Sequence, residues 1–187
     1  MLEDWLEHLR HGQDGLPVWL DLTPSRLLQD ASKGTVRADA LLVSWVRSLA
    51  AAASGARVHG LLVGRDAALH CTPLAPDSAR ATLVHLLQMW REGMQAPLPF
   101  ALRSALAWVS GGDAASTYEG GFNREGEGTE PCLARLYPDY EALIEDGRFE
   151  ALAASIGGPL AEWAREQVQV RIHPEAGNPA HATGDAA

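Results

Sequence analysis

A strongly apolar helical segment lies between β-rich segments, and this order constrains the fold more than any other feature of the chain. Residues 40–53 place Trp45 and Leu49 on one side of a helix, at the spacing of a core-facing surface. Asp39 precedes the segment as a capping residue, and a Ser-Gly pair ends it. The pattern predicts a buried or half-buried helix.

Three segments around this helix are rich in β-forming residues. Residues 16–22 follow a reverse-turn signal, and residues 57–63 and 68–72 are separated by a short loop at 64–67. These patterns predict one strand before the helix and a β-hairpin after it. Residues 2–15 fit either a short helix or, through their final turn, the first arm of a hairpin with the strand at 16–22.

The rest of the chain is predicted to be mainly helical, with one long connection. Residues 110–131 are rich in Gly, Glu and Thr and predict a connection with one helical turn at 116–119. We expect one α/β or α+β domain over residues 1–170 and a disordered tail over 173–187, which has almost no apolar content. Helices are predicted at residues 77–91, 104–109, 140–145 and 149–166, the last interrupted by a Gly-Gly-Pro sequence.

Charge and cysteine content narrow the classes of partner. The net charge is −9, and Lys33 is the only lysine. Strong binding to a phosphate backbone needs a concentrated basic surface, so the charge favours a protein partner over DNA as the first contact. We expect a cytoplasmic protein with no membrane span. Cys71 and Cys132 lie far apart and are expected to be reduced thiols.

Asp21 is the strongest candidate for a catalytic acid. It lies on the predicted strand at 16–22, where nucleases of the restriction-enzyme type hold a divalent cation with acidic residues. Such sites also need a lysine two residues after an acid to position the attacking water. Thr23 occupies that position, and Lys33 follows Asp30 at the wrong spacing in a loop. We therefore predict a structural carboxylate and an incomplete site, with no catalytic residue.

Neither the histidines nor the glycine-rich stretch predicts a cofactor or metal site. His59 and His70 flank the predicted hairpin and could face each other across it, but no Cys/His cluster has ligand spacing. Residues 120–128, GGFNREGEG, lack the GK[ST] sequence of a phosphate-binding loop. A surface loop shaped to meet a partner is the simpler interpretation.

Four segments in order resemble the C-terminal domain of RecC, the gamma subunit of the bacterial exodeoxyribonuclease V helicase–nuclease. The resemblance extends from about Trp5 to Glu166, and it implies that the chain is a piece of a much longer protein. The segments are LLVSWVRSLAAAASG (41–55), WREGMQAPLPF (90–100), TYEGGFNREGEGTEPCLARLY (117–137) and FEALAASIGGPLAEW (149–163).

This resemblance implies a degenerate nuclease-like fold of the PD-(D/E)xK type, with a central mixed sheet flanked by helices. Asp21 and Thr23 would then occupy the acid and lysine positions of the acid-x-Lys motif. The implied role is a non-catalytic domain that docks the RecD and RecB subunits and contacts DNA only within the complex. A residual metal-dependent nuclease and a stand-alone DNA-binding module are the alternatives.

Overall fold

The fold is an α/β arrangement of short elements, and the computed structural model describes residues 9–12 and 15–174. The first part contains the strands β1 to β6 and two helices. In chain order these are β1 (Leu9–His11), β2 (Pro17–Leu22), β3 (Leu28–Asp30), β4 (Thr35–Val36), α1 (Leu42–Ala53), β5 (His59–Val63), β6 (Ala67–Cys71) and α2 (Pro76–Gly93), with a 3-10 helix at Ala38–Leu41.

The second part is mainly helical and returns to the sheet at its end. Its elements are α3 (Leu102–Val109), α4 (Ala114–Glu119), β7 (Gly120–Gly121), β8 (Arg124–Glu125), a 3-10 helix (Glu127–Thr129), α5 (Pro131–Leu136), α6 (Tyr140–Ile144), α7 (Arg148–Leu152), a π-helix (Ala153–Gly157), α8 (Gly158–Glu166) and β9 (Val168–Ile172).

Five strands form a mixed sheet in the order β1-β2-β5-β6-β9. The β2–β5 pair is parallel, and the other neighbouring pairs are antiparallel. A parallel pair needs a crossover connection between its strands, and α1 lies in that connection. The predicted mixed sheet flanked by helices is therefore confirmed.

Trp19 on β2 is one of three buried tryptophans in the main core, with Trp45 and Trp163. Its partner in the parallel register is Gly60, and a methyl group at Gly60 would collide with the Trp19 indole. The absence of a side chain at this position therefore leaves room for the ring to lie across β5. Trp45 and Leu49 of α1 are buried in the same cluster.

A smaller apolar cluster lies among the helices of the second part. Tyr118 of α4 and Phe149 of α7 are buried there, together with Ala105 of α3. The π-helix that follows α7 continues into α8, so residues 148–166 form one helical run. Pro159 near the start of α8 lacks an N–H and crowds the preceding turn, which accounts for the wider π turn before it.

Most predicted elements are confirmed, with boundaries that differ by a few residues. The strand at 16–22 is indeed the second arm of a hairpin, because Leu9 lies in β1; the helical interpretation of Leu9 was wrong. The strand β9, the short pair β3–β4 and the helix α5 were not predicted. No helix in the described residues is long and apolar enough to cross a membrane.

A buried carboxylate in the loop between β5 and β6 holds the start of β3, and the backbone of the same residue contacts the segment after β9. Asp66, in the loop between β5 and β6, accepts hydrogen bonds from the N–H groups of Leu27 (2.7 Å) and Leu28 (3.2 Å). Its backbone carbonyl accepts from the His173 N–H at 2.9 Å, so the first residue of the predicted tail contacts the domain. Residues 175–187 of that tail lie outside the described part of the chain.

Asp66 has a pKa below its ordinary value despite its burial. Desolvation acts to raise the pKa, but the hydrogen bonds from Leu27 and Leu28, that from its own backbone and the charge of Arg26 together lower it. The ionised form is thus favoured in the folded protein.

We expect Asp66→Asn to lower the free energy of unfolding at neutral pH by about 1–3 kcal/mol, because an amide has only one oxygen to accept from the two N–H groups. Because its pKa is lowered on folding, ionised Asp66 contributes its whole stabilising free energy above the ordinary aspartate pKa of about 3.9. This contribution is lost as the pH falls through the pKa of the folded state. Urea unfolding at several pH values should show the difference between the two proteins shrink below about pH 4. A pH-independent difference would contradict this, and Glu145→Gln at an exposed position is the control.

Candidate functional site

Asp21 lies near the C-terminal end of β2, on the side of the sheet that faces α1. It points to the same side as Trp19 because alternate residues of a strand share a face. Arg47 of α1 reaches the carboxylate, with 2.6 Å between Arg47 Nη1 and Asp21 Oδ2. The Arg47 guanidinium also lies 6.0 Å from the centre of the Trp19 ring. The pair is partly exposed, so the acid has a cationic partner at the edge of the core.

Thr23 follows immediately after β2, and its contacts are hydrogen bonds to backbone groups of Val63 and Ser25. Its N–H donates to the Val63 carbonyl at 2.9 Å, and its hydroxyl oxygen accepts from the Ser25 N–H at 3.2 Å. The hydroxyl carries no positive charge. Lys33 forms its ion pair with Asp30, at 3.8 Å, and not with Asp21.

The chemistry available at Asp21 follows from these contacts. Divalent cations in nucleases are held by several oxygen ligands, whereas one Asp21 oxygen is already 2.6 Å from a guanidinium nitrogen. Between residues 9 and 174, leaving out 13 and 14, no group of three or more His, Cys, Asp or Glu side chains is placed to hold a metal ion. Asp21 and Arg47 therefore form an ion pair at the C-terminal end of β2.

His59 and His70 do face each other across the β5–β6 hairpin, as predicted. Their rings are stacked, with centroids 4.9 Å apart and an angle of 19° between the planes. The two cysteines are free, and burial raises the pKa of Cys71 to about 12. The Cys71 thiol is therefore fully protonated at neutral pH and is a core side chain.

The glycine-rich stretch is an ordered hairpin with a bare aromatic tip. The strands β7 and β8 pair, and Phe122 in the turn between them is fully exposed. An apolar ring of this size without any cover is unusual on a soluble domain, where most exposed aromatic residues are partly packed. The expected surface loop is thus a short β-hairpin that presents Phe122 to solvent.

Glycines and one carboxylate fix the base of this hairpin. Gly120 has a φ of 82°, and a methyl group there or at Gly126 would collide with the backbone of the opposite arm or of α4. Glu127 then accepts from the N–H groups of Arg103 (2.9 Å) and Ser104 (2.8 Å) and from the Ser104 hydroxyl (3.0 Å). It caps α3, which has no side-chain cap of its own.

A cleft of about 640 Å³ lies beside the hairpin, between β4 and the helices α3 and α4. Its arginines all have partners: Arg37 pairs with Asp39 at 2.7 Å, Arg103 lies 4.0 Å from Glu127, and Arg124 donates to the Ser116 carbonyl at 2.9 Å. The guanidinium charges in the cleft are therefore largely engaged by the protein itself.

Comparison with known protein families decides the relationship of the chain. Residues 1–113 match the family described as the RecC C-terminal domain. The chain belongs to this family. A search of curated proteins found no match.

Membership of the RecC family implies a role as part of the gamma subunit of the RecBCD complex. The matched residues include two of the four segments that resemble RecC, at 41–55 and 90–100, together with Asp21 and Thr23. The resembling segments at 117–137 and 149–163 lie beyond the match, and their relationship to RecC stays a prediction.

Two residues of interest were not found from the sequence. The sequence pattern of α1 identifies its apolar residues but says nothing about the contacts of Arg47. No feature of the sequence links Arg47 to Asp21. Phe122 had a signal, because an aromatic residue in a run of glycines and charges has no local partner to pack against.

We expect the Asp21–Arg47 ion pair to contribute little to stability, because both side chains are partly exposed and surface pairs contribute about 0.2–1 kcal/mol. A double-mutant cycle of Asp21→Ala and Arg47→Ala, measured by urea unfolding, should give a coupling energy in that range. A coupling of several kcal/mol would mean that the pair is effectively buried and has a structural role beyond closing the strand.

Proposed function

We propose that this chain is a non-catalytic C-terminal domain of the RecBCD gamma subunit, acting in the cytoplasm in double-strand break repair and homologous recombination. It docks the RecD and RecB subunits and helps to handle DNA within the complex. The main supporting observation is that Asp21 is paired with Arg47. In addition, Thr23 occupies the position where a nuclease would need a lysine to activate water.

A degenerate PD-(D/E)xK-type fold is part of this proposal. It is supported by the position of Asp21 near the end of a central strand with a parallel neighbour, β5, and by Thr23 two residues later. An arginine that neutralises the acid leaves neither an open metal ligand nor a free cation for the attacking water.

The absence of nuclease activity is directly testable. We expect the chain, with Mg²⁺ or Mn²⁺ and either single- or double-stranded DNA, to show no cleavage above that of the Asp21→Ala variant or of a sample with EDTA. Cleavage by the unmodified chain that disappears in Asp21→Ala would establish a residual nuclease and overturn the proposal.

Docking of a partner subunit is best supported at the β7–β8 hairpin. Fixed backbone at its base means that little conformational entropy is lost when Phe122 enters an apolar pocket. Residues 119–125 carry two acidic residues, Glu119 and Glu125, against one basic residue, Arg124, and this net negative charge favours a protein surface over a phosphate backbone. DNA contact is proposed only within the assembled complex.

We expect Phe122→Ser to weaken capture of a purified RecB–RecD pair by at least about tenfold, as for a buried aromatic anchor. The folded state should be unaffected because the side chain makes no packing contacts. Leu136→Ser, which makes a similar polarity change at another exposed position on α5, is the matched control. Equal binding of Phe122→Ser and the unmodified chain, measured by titration, would exclude the hairpin as a docking element.

A further inference from the structure

The described helices that pack on the five-stranded sheet lie on one side of it. Trp19, Leu62 and Leu69 of the sheet are buried in one cluster with Trp45 of α1 and Trp163 of α8. These two helices are also the ones in extensive contact with the strands of the sheet. Alternate residues of a strand point to opposite faces, so the residues between the buried ones form a second face.

The strand registers make this second face a contiguous surface. Leu61 of β5 lies between Leu20 of β2 on one side and His70 of β6 on the other. Side chains paired in this way are about 5 Å apart, and the His70 ring is stacked on that of His59. We call this surface the outer face, and its central residues are Val18, Leu20, His59, Leu61, Val63, Ala68 and His70.

The residue types of the outer face are those of a covered sheet. A sheet with one open face carries polar residues on that face, whereas a sheet covered on both faces has continuous apolar strands. The outer positions of β2 are Val18, Leu20 and Leu22, and those of β5 include Leu61 and Val63. Both strands are thus apolar on both faces, which indicates that a further segment packs on the outer face.

The charge of the outer face identifies the chemistry of that segment. Arg10 of β1 is the partner of Val18, and Arg171 of β9 is the partner of Ala68, so an exposed arginine lies at each edge of the face. Neither arginine has an ion pair within the described part of the chain. No acidic residue occupies an outer position of these strands, although the chain has a net charge of −9. An apolar segment with acidic residues complements this surface.

The sequence directly before β1 has this composition. Residues 1–8, MLEDWLEH, lie outside the described residues, and their sequence places Leu2, Trp5 and Leu6 at the i, i+3 and i+4 positions of a helix. The acidic residues fall on the other side of such a helix, and they are Glu3, Asp4 and Glu7.

The dimensions also agree. A helix of eight residues is about 12 Å long and about 10 Å wide with its side chains. The three central strands β2, β5 and β6 span about 10 Å, which is two inter-strand spacings. Because β1 begins at Leu9 and pairs with β2, the segment is attached at the edge of the surface that it would cover.

We propose that residues 1–8 pack over the outer face as an amphipathic helix, with the apolar side on Leu20 and Leu61 and the acidic residues near Arg10 and Arg171. The other end of the chain is a poor occupant, because alanine and proline are the apolar residues of 175–187. A second copy is disfavoured because two chains of charge −9 repel each other. This inference is independent of the proposed docking function.

The first test measures the reactivity of a thiol placed under the proposed helix. The reporter is Leu61→Cys in a Cys132→Ser background, where the remaining Cys71 is buried and its pKa is raised to about 12. We expect Trp5→Ser with Leu6→Ser, or removal of residues 1–8, to speed alkylation of the reporter at least about tenfold, because a covered thiol reacts only after local opening.

Two controls separate cover from a general loss of structure. A Val43→Cys reporter on α1, at a position that is 59% exposed, should react at the same rate with and without residues 1–8. Arg171→Glu should speed alkylation of the Leu61→Cys reporter severalfold at low salt and less at high salt. It should cause no such increase in the chain that lacks residues 1–8.

Disulfide trapping in the full chain gives a second readout. Trp5→Cys with Leu61→Cys should form a disulfide within one chain under mild oxidation, because this bond needs Cβ atoms about 4 Å apart. Glu3→Cys with Leu61→Cys, from the acidic side of the helix, should form it far more slowly.

Three outcomes would overturn the inference. They are equal alkylation of a folded Leu61→Cys chain with and without residues 1–8, trapping that is no faster from Trp5 than from Glu3, and a disulfide that joins two chains instead of one. The last would assign the cover to a second copy. Since no measurement uses RecB or RecD, each of these outcomes leaves the proposed docking function unaffected.

Discussion

The packing of Trp19 between the sheet and α1 is the contact on which the rest of the structure depends. The indole lies over Gly60 of the parallel neighbour strand and is covered by the buried face of α1. The contact supports the register of β2 against β5, because a side chain at residue 60 would collide with the ring, and it places Trp19 in one cluster with the buried residues of α1. Arg47 is consequently held above the ring and within reach of Asp21.

The pairing of Asp21 has a chemical consequence. A carboxylate at a strand end is a metal ligand only when its oxygens are available, and a neighbouring lysine can polarise water only when it is present. Here a guanidinium engages the acid and a threonine hydroxyl accepts a backbone hydrogen bond. The side chains of Asp21 and Thr23 thus both have partners within the fold. This arrangement suits a domain whose function is contact with other subunits.

The β7–β8 hairpin is the surface that we propose for such contacts. It exposes Phe122 on a base fixed by glycines and by the Glu127 cap of α3. The hairpin carries no concentrated positive charge, in agreement with the acidic composition of the chain.

The sequence alone determined the elements with strong local signals. The period of α1, the β-rich segments on either side of it and the helical pattern of residues 149–166 are all visible without coordinates. The interruption predicted at the Gly-Gly-Pro sequence is instead a local π turn in a continuous helical run. The alternation Val168, Val170, Ile172 in β9 was also present, but it is short and ends beside a polar tail, so it was missed. Only the tertiary structure decided that β9 completes the sheet, that Arg47 meets Asp21 and that Phe122 and Trp90 stay uncovered. These outcomes depend on pairing and packing between residues distant in sequence, whereas periodicity reports only which side of an element is apolar.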